Sequence, residues 1–303
     1  MTKDFLQITD FTREEAIELL QFCKKMKDGE VAPKPLEGKT AACIFHKASL
    51  RTRISFEVGI NQLGGNSLYI TDKEIELGVR ESIYDVANVM SRYVGLIMIR
   101  TFDHKNVEEL AEHATVPVVN GLTDLTHPCQ VMGDIFTYFE KTGNFEDITI
   151  AFLGDGNNVF NSFVNLACLF KLNLRLGTSP KTLPNQELLD KAKKAGKSKI
   201  EIHHNPKDAV RDADIIYTDV WASMGQKHLA EERAKLLTEF QVNNDLLNDA
   251  KPGVMVMHCL PANRGQEITD EVMDGPHSVV FDEAENRLHI QKAIMATLLE
   301  RKT

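Results

Sequence analysis

Four short segments of the 303-residue chain carry residue types able to do chemistry. Ser49-Leu50-Arg51-Thr52-Arg53 follows an apolar run and opens a helical one. A serine at a helix start, a threonine hydroxyl and two arginines form a cradle suited to phosphate. The first N–H groups of a helix have no carbonyl inside it, and the helix dipole is positive there. Guanidinium groups add paired donors that match phosphate geometry. The second segment, Leu125-Thr126-His127-Pro128-Cys129-Gln130, offers an imidazole and an amide for a carbonyl or amide group, with proline fixing the turn.

The third segment, Gly154-Asp155-Gly156-Asn157-Asn158-Val159, sits where a dinucleotide fingerprint would follow a strand. Val159 replaces the third glycine, and the next strand ends at Thr178-Ser179 with no acid to hold a ribose. Both features argue against a nicotinamide dehydrogenase and leave the asparagines to hold a small substrate. The fourth is a pair of loops, Thr218-Asp219-Val220-Trp221-Ala222-Ser223-Met224-Gly225 and His258-Cys259-Leu260-Pro261-Ala262. An aspartate and a cysteine at neighbouring strand ends can handle a proton while an amine attacks. Adjacent His and Cys chelate one metal poorly, and no third ligand lies at metal-site spacing, so neither a metal nor a cofactor is expected. Each segment alone also has a plain reading: a capped helix with surface arginines, a structural loop histidine, a buried thiol.

The elements that must position these residues alternate. Short apolar runs bounded by Gly, Pro, Asn or Asp read as buried parallel strands at Thr40–Phe45, Ser67–Ile70, Gly95–Arg100, Val116–Asn120, Ile148–Gly154, Asn173–Thr178, Ile200–His203, Ile215–Thr218, Val254–His258 and Val279–Asp282. Amphipathic stretches such as Thr12–Lys27, Arg51–Leu63, Ser82–Tyr93 and Asn106–His113 lie between them. The pattern predicts an α/β fold of two domains, each a mainly parallel sheet flanked by helices, with the active site in the cleft between them. A break at Lys141-Thr142-Gly143-Asn144 places the first domain at 1–141, joined by the C-terminal helix 288–303, and the second at 142–287.

Composition narrows the class. With 35 basic and 44 acidic residues the net charge is −9, and 43% of residues are hydrophobic, which excludes intrinsic disorder and offers no footprint for nucleic acid. The most basic stretch, Lys191 to Lys199, reads as a solvated helix end. Five dispersed cysteines without a C-x-x-C pair argue against a disulfide framework. No signal-like start and no run near the ~18 apolar residues of a membrane span are seen. A reduced, cytoplasmic enzyme without membrane partners is expected.

Taken in order along one chain, the four segments resemble the aspartate/ornithine carbamoyltransferase family. The resemblance runs through Glu81-Ser82-Ile83, Arg100-Thr101-Phe102, Asn120-Gly121-Leu122-Thr123-Asp124 and Asp282-Glu283-Ala284-Glu285-Asn286-Arg287-Leu288. It implies that Ser49, Leu50 (through its backbone), Arg51 and Thr52 hold the phosphate of carbamoyl phosphate, beside Arg100. It implies that His127 and Gln130 hold the carbamoyl group, with Arg100 and His127 polarising its carbonyl. Cys259 and the Leu260 carbonyl face the carbamoyl NH2 and the incoming amine, and Arg287 completes that pocket. His-Cys-Leu-Pro rather than His-Pro-Leu-Pro, with Asp219, Ser223, Met224 and Asn158, is similar to the ornithine-specific branch. Cys259 and Asp219 would orient the δ-amine and relay its proton. A transferase for another amine such as putrescine, or a non-catalytic paralogue, are the competing expectations. Four positions depart from the pattern: Leu50 replaces a threonine, His46 and Ala48 precede the motif in place of Glu and Pro, and Glu76 stands where relatives place a glutamine that reaches phosphate from a neighbouring subunit. A homotrimer follows from the resemblance.

Overall fold

The computed structural model describes residues 3–222 and 227–300; Ser223 and Met224 of the expected acceptor loop lie outside the described residues. The chain divides into two units, Met1–Phe136 with Glu285–Thr303, and Thr137–Ala284.

The first unit holds β1 (Thr40–Phe45), β2 (Asn66–Thr71), β3 (Leu96–Arg100) and β4 (Val118–Leu122). Its helices are α1 (Arg13–Lys27), α2 (Leu50–Gln62), α3 (Asp72–Ile75), α4 (Ile83–Tyr93), α5 (His104–His113) and α6 (Pro128–Thr142), the last continuing into the second unit. The sheet runs β2-β1-β3-β4 and every pair is parallel. Strands β1, β3 and β4 are apolar on both faces because helices cover both. Ile97, Ile99 and Val118 pack beneath Val86, Val107 and Leu110 of α4 and α5 in one cluster.

The second unit holds β5 (Ile148–Leu153), β6 (Leu172–Gly177), β7 (Lys199–His203), β8 (Ile215–Thr218) and β9 (Met255–His258), with α7 (Asn158–Ala167), α8 (Gln186–Ala195), α9 (Pro206–Val210), α10 (Ala230–Leu237), α11 (Asn244–Leu247) and α12 (Asp270–Met273). Its order is β7-β6-β5-β8-β9, again wholly parallel. The expected strand Val279–Asp282 is not one. The Ser278–Val256 bridge is an isolated touch, and Val280 opens α13 (Val280–Glu300). The short run of Val279, Val280 and Phe281 fits either element by length; Asp282 and Glu283 in a first helical turn match the dipole and favour the helix.

Both sheets therefore change direction once: at β1/β3 in the first and at β5/β8 in the second. Open parallel sheets bind ligands beyond their strands' carboxyl ends at such switch points.

Candidate active site

In the first unit, the switch point pairs Phe45, the end of β1, with Arg100, the end of β3. The turn into α2 and the Arg100 side chain thus emerge side by side. Ser49 caps α2 in an extended conformation, its Oγ accepting the Thr52 N–H at 3.3 Å. Fully buried Thr52 is the meeting point. Its Oγ1 receives Ser49 Oγ at 3.0 Å, Arg100 Nη1 at 3.3 Å and Arg287 Nη2 at 2.8 Å. A hydroxyl oxygen has two lone pairs, so three donors overfill it; an oxyanion accepts that many easily. Arg287 is 3% exposed and reaches no carboxylate among the described residues. A buried guanidinium without a counter-charge is costly unless an anion shares its site.

His127 stands one residue before α6 and is also buried. Burial first, then the charges of Arg287, Arg100 and Lys47, hold its pKa well below the ordinary histidine value. The ring is neutral near pH 7 and can donate an N–H to a carbonyl without adding charge. Gln130 turns its Nε2 to Asp134 at 2.8 Å. Arg51 is half-buried in the first turn of α2. Arg53 is not part of this cluster: it stacks 3.9 Å from the Tyr69 ring centre and pairs with Glu57 at 2.9 Å. Leu50 is 69% exposed, leaving its backbone at the helix start. Glu76 is exposed at the end of α3 with φ 41°, and its carboxylate makes no hydrogen bond or ion pair among the described residues.

In the second unit, Leu153 pairs with Thr218 and Thr218 with His258, so the loops after β5, β8 and β9 leave the sheet together. Asn157 caps α7, its Oδ1 accepting from the Val159 and Phe160 N–H groups. The same side chain donates Nδ2 to Asp219 Oδ2 at 2.7 Å. Cys259 Sγ donates to Asp219 Oδ1 at 3.0 Å, and the Val220 N–H reaches the same oxygen at 2.8 Å. Both oxygens of a nearly buried carboxylate are thus oriented. Asn158 follows Asn157 as the first residue of α7. His258 Nδ1 accepts the Leu260 N–H at 2.9 Å, which leaves the ring proton on Nε2, donated to Glu267 at 3.1 Å. Leu260 itself has φ 57° and precedes a cis bond to Pro261.

Linear spacing hid one grouping: a donor atom from each of Asp219, His258 and Cys259 lies within 4.8 Å of the others. With both nitrogens engaged, His258 has no lone pair for a metal, which reduces the group to two ligands. The glycine turn is likewise closed to a dinucleotide. Gly156 N–H is bonded to Thr182 O at 2.9 Å, and a Cβ at Gly156 would sit 2.5 Å from Pro184 N. Segment 179–184 covers the backbone that a pyrophosphate would need. Asp155, in that turn, is pushed up to about 6 by burial, opposed by Arg233 at 3.1 Å and reinforced by Asp219.

Sequence reasoning missed Lys47, Asp134 and the His258–Glu267 pair, and it named Asn157 only as a substrate-holding asparagine, not as the partner of Asp219. Lys47, buried against Asp124 with its Nζ 4.5 Å from the Phe102 ring centre, has its pKa lowered by burial despite Asp124. Its place between a strand end and the Ser49 motif was the available signal. Glu267 lies nine residues from His258 and leaves none.

In the first unit two buried guanidinium groups converge on a helix start, and in the second a carboxylate and a thiol are hydrogen-bonded at neighbouring strand ends, groups suited to anion binding and to proton handling. Family models agree: residues 3–140 match the aspartate/ornithine carbamoyltransferase carbamoyl-P binding domain, and residues 146–298 the Asp/Orn binding domain. The chain belongs to the aspartate/ornithine carbamoyltransferase family. It is 48% identical to the ornithine carbamoyltransferase of Syntrophus aciditrophicus over 302 residues, covering 99% of this chain and 100% of that one. It is 50% identical to the enzyme of that name from Thermococcus kodakarensis, covering 98% and 96%. The solved ornithine carbamoyltransferase of Pyrococcus furiosus superposes with a TM-score of 0.91 at 48% identity, covering 97% of this chain and 96% of that chain.

Proposed function

We propose that this enzyme transfers the carbamoyl group of carbamoyl phosphate to the δ-amine of L-ornithine, giving L-citrulline and phosphate. The observation that carries the reading is the pair of buried guanidinium groups, Arg100 and Arg287, aimed at one hydroxyl at the start of α2. Residues 1–141 with 288–303 bind carbamoyl phosphate, and residues 142–287 bind ornithine. Ser49, Thr52, Arg51 and the Leu50 backbone hold the phosphate. His127, Gln130 and Arg100 hold the carbamoyl group, with Cys259, the Leu260 carbonyl and Arg287 around it. Asn158, Ser223 and Met224 take the α-carboxylate end of ornithine, and Asp219 its amines.

An alkylamine with a pKa near ~10.4 is neutral in only about one molecule in a few thousand at pH 7, so the site must select that form. Its nitrogen attacks the carbonyl carbon directly, without a covalent enzyme intermediate. Arg100 and His127 stabilise the tetrahedral oxyanion. The C–O bond to phosphate then breaks, and the departing dianion stays on the α2 N-terminus and Arg51. The amine proton passes toward Cys259 and Asp219 or to the phosphate itself.

A homotrimer is part of the reading. Leu50, Ile54 and Val58 recur at helical spacing on α2 and are 69%, 50% and 38% exposed, an apolar stripe that a second copy would cover. Glu76 would face a neighbouring copy's phosphate there. The reading places the enzyme in the cytoplasm and in arginine biosynthesis; a P. furiosus relative carries the name anabolic ornithine carbamoyltransferase. Among the described residues no helix is long and apolar enough to cross a membrane. The test is citrulline production from carbamoyl phosphate across ornithine, putrescine, lysine and aspartate as acceptors. Ornithine should exceed every other acceptor at least a hundredfold; a preference for putrescine, or no transfer at all, contradicts the reading.

A further inference from the structure

We propose that Asp134 is a positioning residue that sets the orientation of the Gln130 amide, and that this orientation lets the enzyme read the carbamoyl NH2. The inference rests on the carbamoyl-phosphate reading above. Gln130 and Asp134 lie one turn apart on α6, at 0% and 1% exposure. Their bond runs from Gln130 Nε2 to Asp134 Oδ1 at 2.8 Å. A terminal amide carries a donor end and an acceptor end on opposite sides, and either can face a ligand until a neighbour fixes it. With its nitrogen on the carboxylate, Gln130 presents oxygen the other way.

The neighbouring groups make that choice informative. Lys47, Arg100, His127 and Arg287 can all donate, and they serve the phosphate and the carbamoyl oxygen. An NH2 group requires an acceptor, which a cationic pocket supplies poorly. Gln130 Oε1 is one such acceptor. Acetyl phosphate has nearly the same shape but carries a methyl where carbamoyl phosphate carries NH2, and it gains nothing from this oxygen. Sites built to hydrogen-bond a substrate N–H reject the analogue lacking it strongly.

Asp134→Asn tests this, because an asparagine can donate as well as accept and no longer dictates which way Gln130 faces. The readouts are KM for carbamoyl phosphate and the inhibition constants of acetyl phosphate and inorganic phosphate. The expected result is carbamoyl phosphate weakened about tenfold, with acetyl phosphate and phosphate changed less than about twofold. All three weakened alike would show a structural role and overturn the proposal, as would no change in any. The double exchange Gln130→Glu with Asp134→Asn keeps volume and net charge and always presents an acceptor oxygen. It should restore the preference for carbamoyl over acetyl phosphate, and it decides the question alone if the single variant does not fold; a folded double variant without the preference overturns the proposal. Wild-type enzyme that binds carbamoyl and acetyl phosphate equally would instead sink the substrate reading.

Discussion

Arg287 shows how a single residue trades stability for function. Its guanidinium is buried against a hydroxyl rather than a carboxylate, an arrangement that destabilises the fold and favours an anion. Arg287→Gln should leave the ligand-free protein as stable as the parent or up to about 2 kcal/mol more stable. The same change should weaken carbamoyl phosphate by roughly a hundredfold. Denaturant titration with and without carbamoyl phosphate checks both halves, and a variant destabilised without ligand would contradict the account. His127 gives a second residue-scale expectation. Because burial and three cations disfavour its charged form, its ring should show no protonation step at the ordinary histidine value in a pH titration followed by NMR. The rise of rate with pH should instead follow the acceptor amine. A break in the rate profile that coincides with a His127 titration near 6.5 would place the proton elsewhere. Residues within one short motif, Ser49 to Thr52 or His127 to Gln130, were legible from sequence because motif and site coincide locally. Cys259 and Asp219 were legible as a pair because both stand at strand ends, whereas Arg287 came only through family resemblance, since nothing in its own spacing links it to a partner far away in the chain.

At the level of elements, the caps do two jobs. Asn157 closes the N-terminus of α7 with its oxygen and orients Asp219 with its nitrogen. Asn157→Ser keeps a capping oxygen and loses the nitrogen. It should therefore cost no more than a few tenths of a kcal/mol in stability while lowering kcat/KM for ornithine about tenfold; Asn157→Ala should in addition cost about 1 kcal/mol in stability. Thermal unfolding together with steady-state kinetics separates these effects, and equal kinetics for parent and Asn157→Ser would remove Asn157 from the site. The alternation of apolar runs and amphipathic helices made both sheets readable, because fully buried parallel strands leave a strong signal. The order of strands did not follow from that pattern, yet within each unit the switch point is what brings residues together, Arg100 beside the turn into α2 at β1/β3 and Asn157 beside Asp219 at β5/β8. Val279–Asp282 misread for the same reason: a short apolar run has no period to declare itself helix or strand.

At the scale of the molecule, the net charge of −9 hides local cationic and anionic regions whose titration shows in stability. Asp155 holds its proton in the folded state up to about 6, against an ordinary 3.8. Between those values the folded chain binds more protons than the unfolded one, so stability falls as pH rises from about 4 to about 6, by on the order of 3 kcal/mol. Asp155→Asn should lack that part of the slope in urea unfolding measured across the range; an unchanged slope would assign it to other carboxylates. Assembly belongs to this scale too. For the trimer proposed above, Ile54→Glu on the exposed stripe of α2 should shift the mass in solution toward one copy, whereas an unaltered mass would place the interface on another face.

In the proposed reaction a small dianion sits at the start of α2, held where Arg100 and Arg287 converge on Thr52. A crystal structure with a phosphonate mimic joining carbamoyl phosphate to ornithine tests it directly. The phosphonate oxygens are expected within about 3 Å of Thr52, Arg51 and Arg100, with the amino-acid end toward Asp219 and Asn158. A phosphonate bound elsewhere, with Thr52 and both guanidinium groups untouched, would contradict the account.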